Sequence, residues 1–408
     1  MSEPLLTQLS KRLARPVGES DRQRARLHLL DWLACVAGAR RSEVAKRFAQ
    51  SAADKAVIAA MAANILEMDD VHRAALLHPG PVIWGAVCSQ IVPTMNDALD
   101  NAVRGYEAMI AIGGALDGYH YGHWHPTATA GVFGAAAASA SLWGLNREAT
   151  VWALANAGSV AGGLWHMRHD DVMTKQWHVA NAIRVGTDAA WMADDGLTGP
   201  AALLEGPQGL FEAMTKEPGP LADNGDSWLI HQVSFKPFAA CRHAHPAIDA
   251  AMELREQGKL QPPFHVETYA DALAFCDRPD PVTELDAKFS LQHAVAVVAD
   301  GRTAEPADFT EEAIAALADL RGGVTVAEDP AITARYPGHF GARVNGLELV
   351  DTLGDPERPV GEADIVAKMH SLAAWGGLDA GEADRAVEIA LHGDSAEAVD
   401  ALLQDWLG

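Results

Sequence analysis

The chain has 408 residues, of which 49% are hydrophobic, and it carries a formal net charge of -24 at pH 7. This length is enough for two domains with their own cores, and the negative field repels nucleic acids and anionic membranes, which we exclude as expected partners. The field also repels an anionic substrate, so a site for one needs its own local group of cations.

The first 230 residues have the periodicity of helices. Apolar positions recur at helical spacing, and they predict helices over residues 22–38, 54–68, 95–118, 126–145, 148–163 and 178–195. The stretch 126–145 consists largely of alanine, glycine and serine, and small side chains let a helix approach its neighbours closely. We therefore expect that helix to be central and buried.

The pattern changes after about residue 230. Strand-like segments separated by turn residues cover 264–275, 322–330 and 340–354, where Gly346 suits a hairpin turn. Helical periodicity returns over residues 361–405. We predict a mainly α protein with an inserted α+β domain, in which residues 1–230 and 361–408 form a helical domain and residues 231–360 form a smaller α+β lid domain.

Cysteine use and the N-terminal sequence indicate the compartment. None of the cysteines forms a CxxC pair, a pattern that favours a reducing compartment over a disulfide framework or a zinc ribbon. The N-terminal segment lacks the apolar core of a signal peptide, and no apolar run reaches the roughly 18 residues of a membrane span. We expect a cytoplasmic protein.

Residues 67–87 combine acidic side chains with histidines. A run that ends in Asp69 and Asp70 is followed by His72 and His78, and a Pro-Gly-Pro turn then opens an apolar helix. A carboxylate that orients an imidazole is a common acid/base device. The alternative interpretation is a solvated acidic loop with two surface histidines.

A second group of histidines lies before the small-residue helix. His125 stands at the predicted start of that helix, where unpaired N–H groups favour a carboxylate ligand and Thr127 and Thr129 add donors. A structural aromatic loop is one alternative. Another is a metal site that would draw on five histidines: His120, His123, His125, His166 and His169.

Two further segments gather cations. Lys175 lies just before the predicted helix at 178–195, with Arg168 and His169 close by. Residues 235–251 suggest a cationic, anion-binding loop with these members: Lys236, Cys241, Arg242, His243 and His245. Each lysine or arginine has a plain surface interpretation as its alternative. We expect Cys241 to be an ordinary buried cysteine, since nothing in the sequence marks its thiol as acidic.

Several segments, in the same order along nearly the whole chain, resemble those of the MmgE/PrpD family, which includes 2-methylcitrate dehydratase, cis-aconitate decarboxylase and iminodisuccinate epimerase. The segments are LLDWLACVAGA, EMDDVHRAALLHPG, GYE, HPTATAGVFGAAAASASLWGL, DDGLTGPAALLEGPQG, FKPFAACRHAHPAIDA and AKFSLQHAVA. The resemblance implies a helical domain with an inserted α+β lid, a homodimer, a site between the domains, and neither a metal nor an organic cofactor.

The resemblance also implies the site residues. By position, the catalytic candidates are His78, Asp69, Asp70, His125, Lys175, Lys236 and His245. The substrate-binding candidates are His293, which the resemblance adds by position, and four residues suggested by their segments: Thr127, Arg242, Cys241 and Lys288. Two positions depart from the family pattern: Glu67 stands where aspartate is common, and His293 stands where tyrosine is common.

The implied reaction is a proton transfer next to a carboxylate of a small di- or tricarboxylate. Lys175 and Lys236 are expected to hold the carboxylates, His78 to move the proton with Asp69 or Asp70 orienting it, and a second histidine to serve the other proton. Loss of water, loss of carbon dioxide and return of the proton to the other face give a dehydratase, a decarboxylase or an epimerase, and the sequence does not choose among them. A non-catalytic carboxylate-binding protein is an alternative of another class.

Overall fold

Helices make up nearly all the regular structure of the first 233 residues in the computed structural model, which describes residues 3–49, 54–170 and 172–408. The helices are α1 (Leu5–Leu13), α2 (Glu19–Ala39), α3 (Glu43–Phe48), α4 (Lys55–Ala63), α5 (Pro79–Cys88), α6 (Met95–Gly113), α7 (Gly118–His123), α8 (Pro126–Leu142), α9 (Arg147–Gly158), α10 (Thr174–Asp194) and α11 (Leu210–Met214). The helices expected at 54–68 and 148–163 are shorter than predicted, because their chains leave helical geometry after Ala63 and Gly158.

The next stretch combines short helices with a small mixed sheet. Its elements are α12 (His245–Glu256), β1 (Phe264–Thr268), α13 (Ala270–Cys276), α14 (Glu284–Lys288), α15 (Leu291–Ala299), α16 (Glu311–Ala316), α17 (Ala318–Gly322), β2 (Val324–Glu328), α18 (Pro330–Thr333), β3 (Ala342–Val344) and β4 (Leu347–Leu349). Three helices close the chain: α19 (Glu362–Gly376), α20 (Ala380–His392) and α21 (Glu397–Leu407). The fold is mainly α with a small α+β part, as predicted.

The sheet has the strand order β2-β1-β3-β4, in which β1 is parallel to β2 and antiparallel to β3. The strand predicted over residues 264–275 is wrong beyond Thr268, since the chain turns there into α13. The β3–β4 hairpin turns at Asn345 and Gly346, both with positive φ, which is the geometry that a two-residue turn needs between twisted strands.

The chain divides into two compact units. The first unit consists of residues Met1–Ile65, Asp69–Val233 and Glu362–Gly408, and the second consists of Leu66–Met68 and Ser234–Gly361. The inclusion of Leu66–Met68 in the second unit was not predicted. The predicted domain limits themselves stay a prediction.

The core of the first unit is built around α8, which packs on α5, α6, α9 and α10 and is buried from Pro126 to Ala140. Its small residues allow this approach. A Cβ added at Gly134 would lie 2.7 Å from Ile83 Cδ1 and 2.8 Å from Met109 Cβ. Among the described helices, none combines the length and apolar character needed to cross a membrane.

Candidate active site

The loop between α4 and α5 brings Asp69 against His78. His78 directly precedes α5, and its Nδ1 donates to Oδ2 of Asp69 at 2.9 Å, while Nδ2 of Asn64 donates to the same oxygen at 2.7 Å. Asp69 is buried, whereas the His78 side chain is 15% exposed. A carboxylate at Nδ1 fixes the proton there and leaves Nε2 as the proton acceptor. The pair has the arrangement of an oriented general base.

Asp70, the next residue, is engaged differently. Its Oδ1 accepts from the backbone N–H of Gly80 at 2.7 Å, and its Oδ2 accepts from the Tyr106 hydroxyl at 2.7 Å and from His28 Nδ1 at 2.8 Å. Burial raises the pKa of the Asp70 carboxyl to about 6. These donors fix the first turn of α5, directly after His78, so we assign Asp70 a positioning role.

Gly80 shows how tightly this turn is built. A Cβ at this residue would lie 2.6 Å from Oδ1 of Asp70, so only glycine lets the backbone approach the carboxylate. His28 and Tyr106, which come from α2 and α6, were not predicted as site residues. No local signal marks His28, and although Tyr106 lies in the GYE segment of the resemblance, the contacts of both residues with Asp70 exist only in the folded chain.

The start of α8 carries His125. Its backbone N–H donates to the Gly163 carbonyl at 2.8 Å, and its Nδ1 lies 3.1 Å from Nδ1 of His178 on α10. Burial, with further contributions from His178 and Lys175, lowers the pKa of His125 well below its ordinary value. Its Nε2 has no hydrogen-bond partner among the described residues. This ring is therefore neutral and presents one buried nitrogen for proton transfer.

Lys175 lies in the first turn of α10, three residues before His178, so the two side chains share a face of the helix. The charges of Lys175, His78 and Asp69 all act on the pKa of His125, which places the four groups in one neighbourhood of the first unit. His178 was missed by the sequence analysis. The Lys-x-x-His spacing would have found it, had the helix been predicted to begin at Thr174 rather than at residue 178.

Thr127, a predicted substrate-binding residue, has a structural contact. It is fully buried, and its Oγ1 accepts from the backbone N–H of His78 at 3.0 Å. The bond joins the start of α8 to the start of α5.

A cavity of about 540 Å³ in the same unit is lined by residues that include Gly163, Thr174, Trp177, His178 and Asn181.

In the second unit, Lys236 is completely buried, and its Nζ lies 3.8 Å from Oε2 of Glu67. Glu67 has a positive φ of 56°, a rare conformation for a residue with a side chain. The residue that departs from the family pattern is therefore the ionic partner of a predicted catalytic lysine. The two residues are far apart in sequence, so the pairing was not predictable.

Arg242 forms a buried ion pair with Asp355, whose Oδ1 also accepts from the Ser234 hydroxyl at 2.6 Å. Its guanidinium lies 5.5 Å from the centre of the Phe340 ring. The charge of Arg242 is thus already met by a carboxylate of its own unit. If Arg242 also binds substrate, the substrate carboxylate must either displace Asp355 or bind the guanidinium together with it.

The two remaining predicted histidines of the second unit both contact backbone carbonyls. Nε2 of His245 donates to the Ala240 carbonyl at 3.0 Å, and Nε2 of His293 donates to the Asp308 carbonyl at 2.8 Å. Burial lowers the pKa of His293. Because each carbonyl can only accept, both rings carry a proton on Nε2.

Cys241 and Lys288 are on different segments that a backbone hydrogen bond joins. The N–H of Cys241 donates to the Lys288 carbonyl at 2.8 Å. Both side chains are buried. Burial raises the pKa of the Cys241 thiol, but hydrogen bonds with Cys276 and the His243 backbone and the charge of Lys236 together outweigh burial, so the pKa is lowered. Cys241 is buried as expected, although the sequence gave no sign of its thiol partner.

The five histidines of the metal alternative do not converge. His120 Nε2 lies 3.0 Å from the Thr129 hydroxyl, His123 Nδ1 donates to the Tyr119 carbonyl, and His166 and His169 are on an exposed 3₁₀ turn. Across the described ranges, one group of His, Cys, Asp or Glu ligand atoms lies within 4.8 Å of one another, and it contains none of the five. That group is His339, Asp351 and Glu357.

Comparison with known proteins gives two matching family models. The MmgE/PrpD N-terminal domain matches residues 48–221, and the MmgE/PrpD C-terminal domain matches residues 238–392. The chain is 32% identical over 195 residues to the cis-aconitate decarboxylase of Homo sapiens and 30% identical over 203 residues to that of Mus musculus. A cis-aconitate decarboxylase-like protein of Aspergillus oryzae is 26% identical over 212 residues.

These matches are partial. They cover 45%, 46% and 47% of this chain, and 40%, 41% and 44% of the three relatives, taken in the same order. The chain therefore spans less than half the length of the curated relatives it matches.

Proposed function

Because the chain belongs to the MmgE/PrpD family, we propose that it is a lyase that acts on a small di- or tricarboxylate by moving a proton at a carbon next to a carboxylate. The single observation that carries the proposal is the Asp69–His78 pair, a buried carboxylate that orients a partly exposed imidazole. cis-Aconitate is the first substrate to test, since the matched relatives are named for its decarboxylation.

The chemistry needs fixed positive charge as well as a base. A C–H next to a carboxylate is a very weak acid, and the charge that develops when it ionises is stabilised by cations already in place. Lys175 supplies one such cation near His78 and His125. In the proposal Lys236 is the second, and it holds a substrate carboxylate in competition with Glu67.

Two imidazoles divide the proton transfers. Nε2 of His78 takes the proton, because Asp69 fixes the other ring proton on Nδ1. In a dehydration Nε2 of His125 gives the second proton to the leaving hydroxyl. In a decarboxylation no C–H proton is taken, and the carbon that loses carbon dioxide receives its one proton from His125. His245 has a lesser part in the proposal, because its Nε2 proton is directed to the Ala240 carbonyl.

The reaction is tested with a substrate panel of citrate, 2-methylcitrate, cis-aconitate and iminodisuccinate, followed by NMR in deuterated water. The proposal predicts that one of them is consumed, either with loss of water or with loss of carbon dioxide and uptake of solvent deuterium at the carbon that loses it. Inversion with deuterium uptake and no elimination would instead identify an epimerase. Binding without any exchange would contradict catalysis and support a carboxylate-binding protein.

The site assignment is tested with His78→Ala and Lys175→Ala. Each is expected to cut turnover at least ~100-fold, the usual loss for one acid/base or charge-stabilising group. His123→Ala and Lys46→Ala are the matched controls, since both side chains are exposed in the same unit, and they should keep wild-type turnover. Near-wild-type turnover in both site variants would reject the assignment.

A further inference from the structure

The contact between His125 and His178 has a specific chemical requirement. The two Nδ1 atoms are 3.1 Å apart, and a hydrogen bond between two ring nitrogens needs one N–H and one lone pair. Burial lowers the pKa of both rings, so each is neutral and carries one proton. A single proton therefore lies between the two Nδ1 atoms.

The position of that proton decides what His125 offers at its other nitrogen. With the proton on Nδ1 of His125, its Nε2 is a lone pair; with the proton on Nδ1 of His178, Nε2 of His125 carries an N–H. When His125 gives its Nε2 proton to the substrate, its Nδ1 takes the proton from Nδ1 of His178, and His178 takes a proton from water at its own Nε2. Each ring ends neutral, so charge is conserved at every stage.

The cavity beside His178 connects the relay to solvent. His178 lies on the wall of the 540 Å³ cavity, together with Thr174, Asn181 and the backbone of Gly163. Gly163 has a φ of 104°, and a Cβ there would lie 2.4 Å from the Ala128 Cβ and 3.4 Å from the His178 ring. The positive φ and the close approach to Ala128 therefore require glycine at this position, in van der Waals range of the His178 ring.

The charged and titratable groups around the pair come from three directions. Lys175 lies on α10 one turn before His178, and Asp69 and His78, from the loop before α5, act electrostatically on His125. Asp170 lines the cavity. The cations disfavour an imidazolium at His125, which is the condition under which a proton is passed on and not kept.

We propose that His178 is a positioning residue that sets the tautomer of His125 and relays a proton to it from the cavity. The catalytic meaning of the relay rests on the proposed lyase function. The shared proton does not, since it follows from the contact between the two rings.

The shared proton is tested by NMR on protein labelled with ¹⁵N in its histidines, at about pH 7. The expected spectrum shows a coupling between the two Nδ1 nuclei through one slowly exchanging proton. His178→Phe should abolish the coupling and leave His125 in one fixed tautomer, and His178→Ala takes its place if the phenylalanine variant does not fold. His120→Gln, which removes another buried imidazole of the first unit, should leave the coupling intact.

Kinetics test the relay. His178→Phe should lower kcat by about 10- to 100-fold with little change in KM, because the residue acts through His125 and not on the substrate. His178→Asn should recover part of the loss, since an amide can orient His125 but cannot pass a proton onward.

Absence of Nδ1–Nδ1 coupling in the wild type, or unchanged His125 signals in His178→Phe, would overturn the inference. A wild type that shows the coupling but turns over no carboxylate would reject the proposed function and leave the shared proton established.

Discussion

The acidic loop of the first unit, residues 69–78, and the basic segment of the second unit, residues 235–245, both bury charge, but they hold it in opposite ways. Asp69 and Asp70 accept hydrogen bonds from side chains and backbone, including the neutral groups of Asn64, Tyr106 and Gly80. Lys236 and Arg242 each face a carboxylate, from Glu67 and Asp355. The acidic loop keeps its negative charge available to orient an imidazole, whereas the cations of the basic segment are matched before any substrate arrives.

We expect the largest effect when Arg242 loses its buried carboxylate partner, Asp355. Asp355→Ala should lower the free energy of unfolding by about 3–5 kcal/mol, because a buried guanidinium loses its partner. Denaturant unfolding measures this loss. Asp405→Ala removes the partner of Arg385 in an exposed pair and should cost less than about 1 kcal/mol.

The double variant Arg242→Met/Asp355→Leu isolates the ion pair. It should restore most of the lost stability, because well-packed apolar residues often replace a buried pair at no net cost. Equal unfolding free energies for Asp355→Ala and the wild type would show that the pair does not stabilise the second unit.

The next prediction separates two roles of Lys236. Lys236→Met removes the cation and leaves Glu67 buried without this partner, so both stability and turnover should fall. Adding Glu67→Gln should recover the stability but leave turnover at least ~100-fold below wild type, if the lysine also holds a substrate carboxylate. Recovery of turnover in the double variant would reduce Lys236 to a structural residue.

A smaller effect concerns the pH dependence of the acidic loop. Burial lowers the pKa of His72 to about 4, below its ordinary value of about 6.5. Between these values the unfolded chain binds more protons than the folded chain. The contribution of His72 is therefore present above about pH 6.5 and is lost as the pH falls towards 4, by at most ~1.4 kcal/mol per pH unit.

Asp70 changes the free energy of unfolding with pH in the direction opposite to His72. Burial raises its pKa to about 6, so its contribution is present below the ordinary carboxyl pKa and is lost as the pH rises through 6. Because glutamine does not titrate, His72→Gln should make the free energy of unfolding fall less steeply than in the wild type as the pH is lowered from 6.5 to 4. Parallel pH profiles for variant and wild type would show that His72 is not buried in its neutral form.

The sequence predicted those features of the fold and of the candidate site that depend on residues close together along the chain. Small residues over 126–145 predicted the buried α8, and the nearness of the acidic pair to His78 along the chain predicted that Asp69 or Asp70 would orient it, which Asp69 does. The strand beyond Thr268 was predicted wrongly, because apolar residues of a short helix resemble a strand over so few positions. The homodimer stays a prediction.

Contacts between distant segments were beyond the sequence. Asp69 and Asp70 look equivalent in the sequence, and only the folded positions of Asn64, His28 and Tyr106 give them different roles. Glu67 stood out only as a departure from the family pattern, and its pairing with Lys236 joins segments almost 170 residues apart in the printed sequence.

The most direct measurement compares Asp69→Asn with Asp70→Asn, in turnover per folded molecule and in unfolding free energy. If Asp69 orients His78 as a base, Asp69→Asn loses at least ~100-fold in turnover, while Asp70→Asn loses mainly stability because its three donors no longer meet a carboxylate. Wild-type turnover in folded Asp69→Asn would contradict the account.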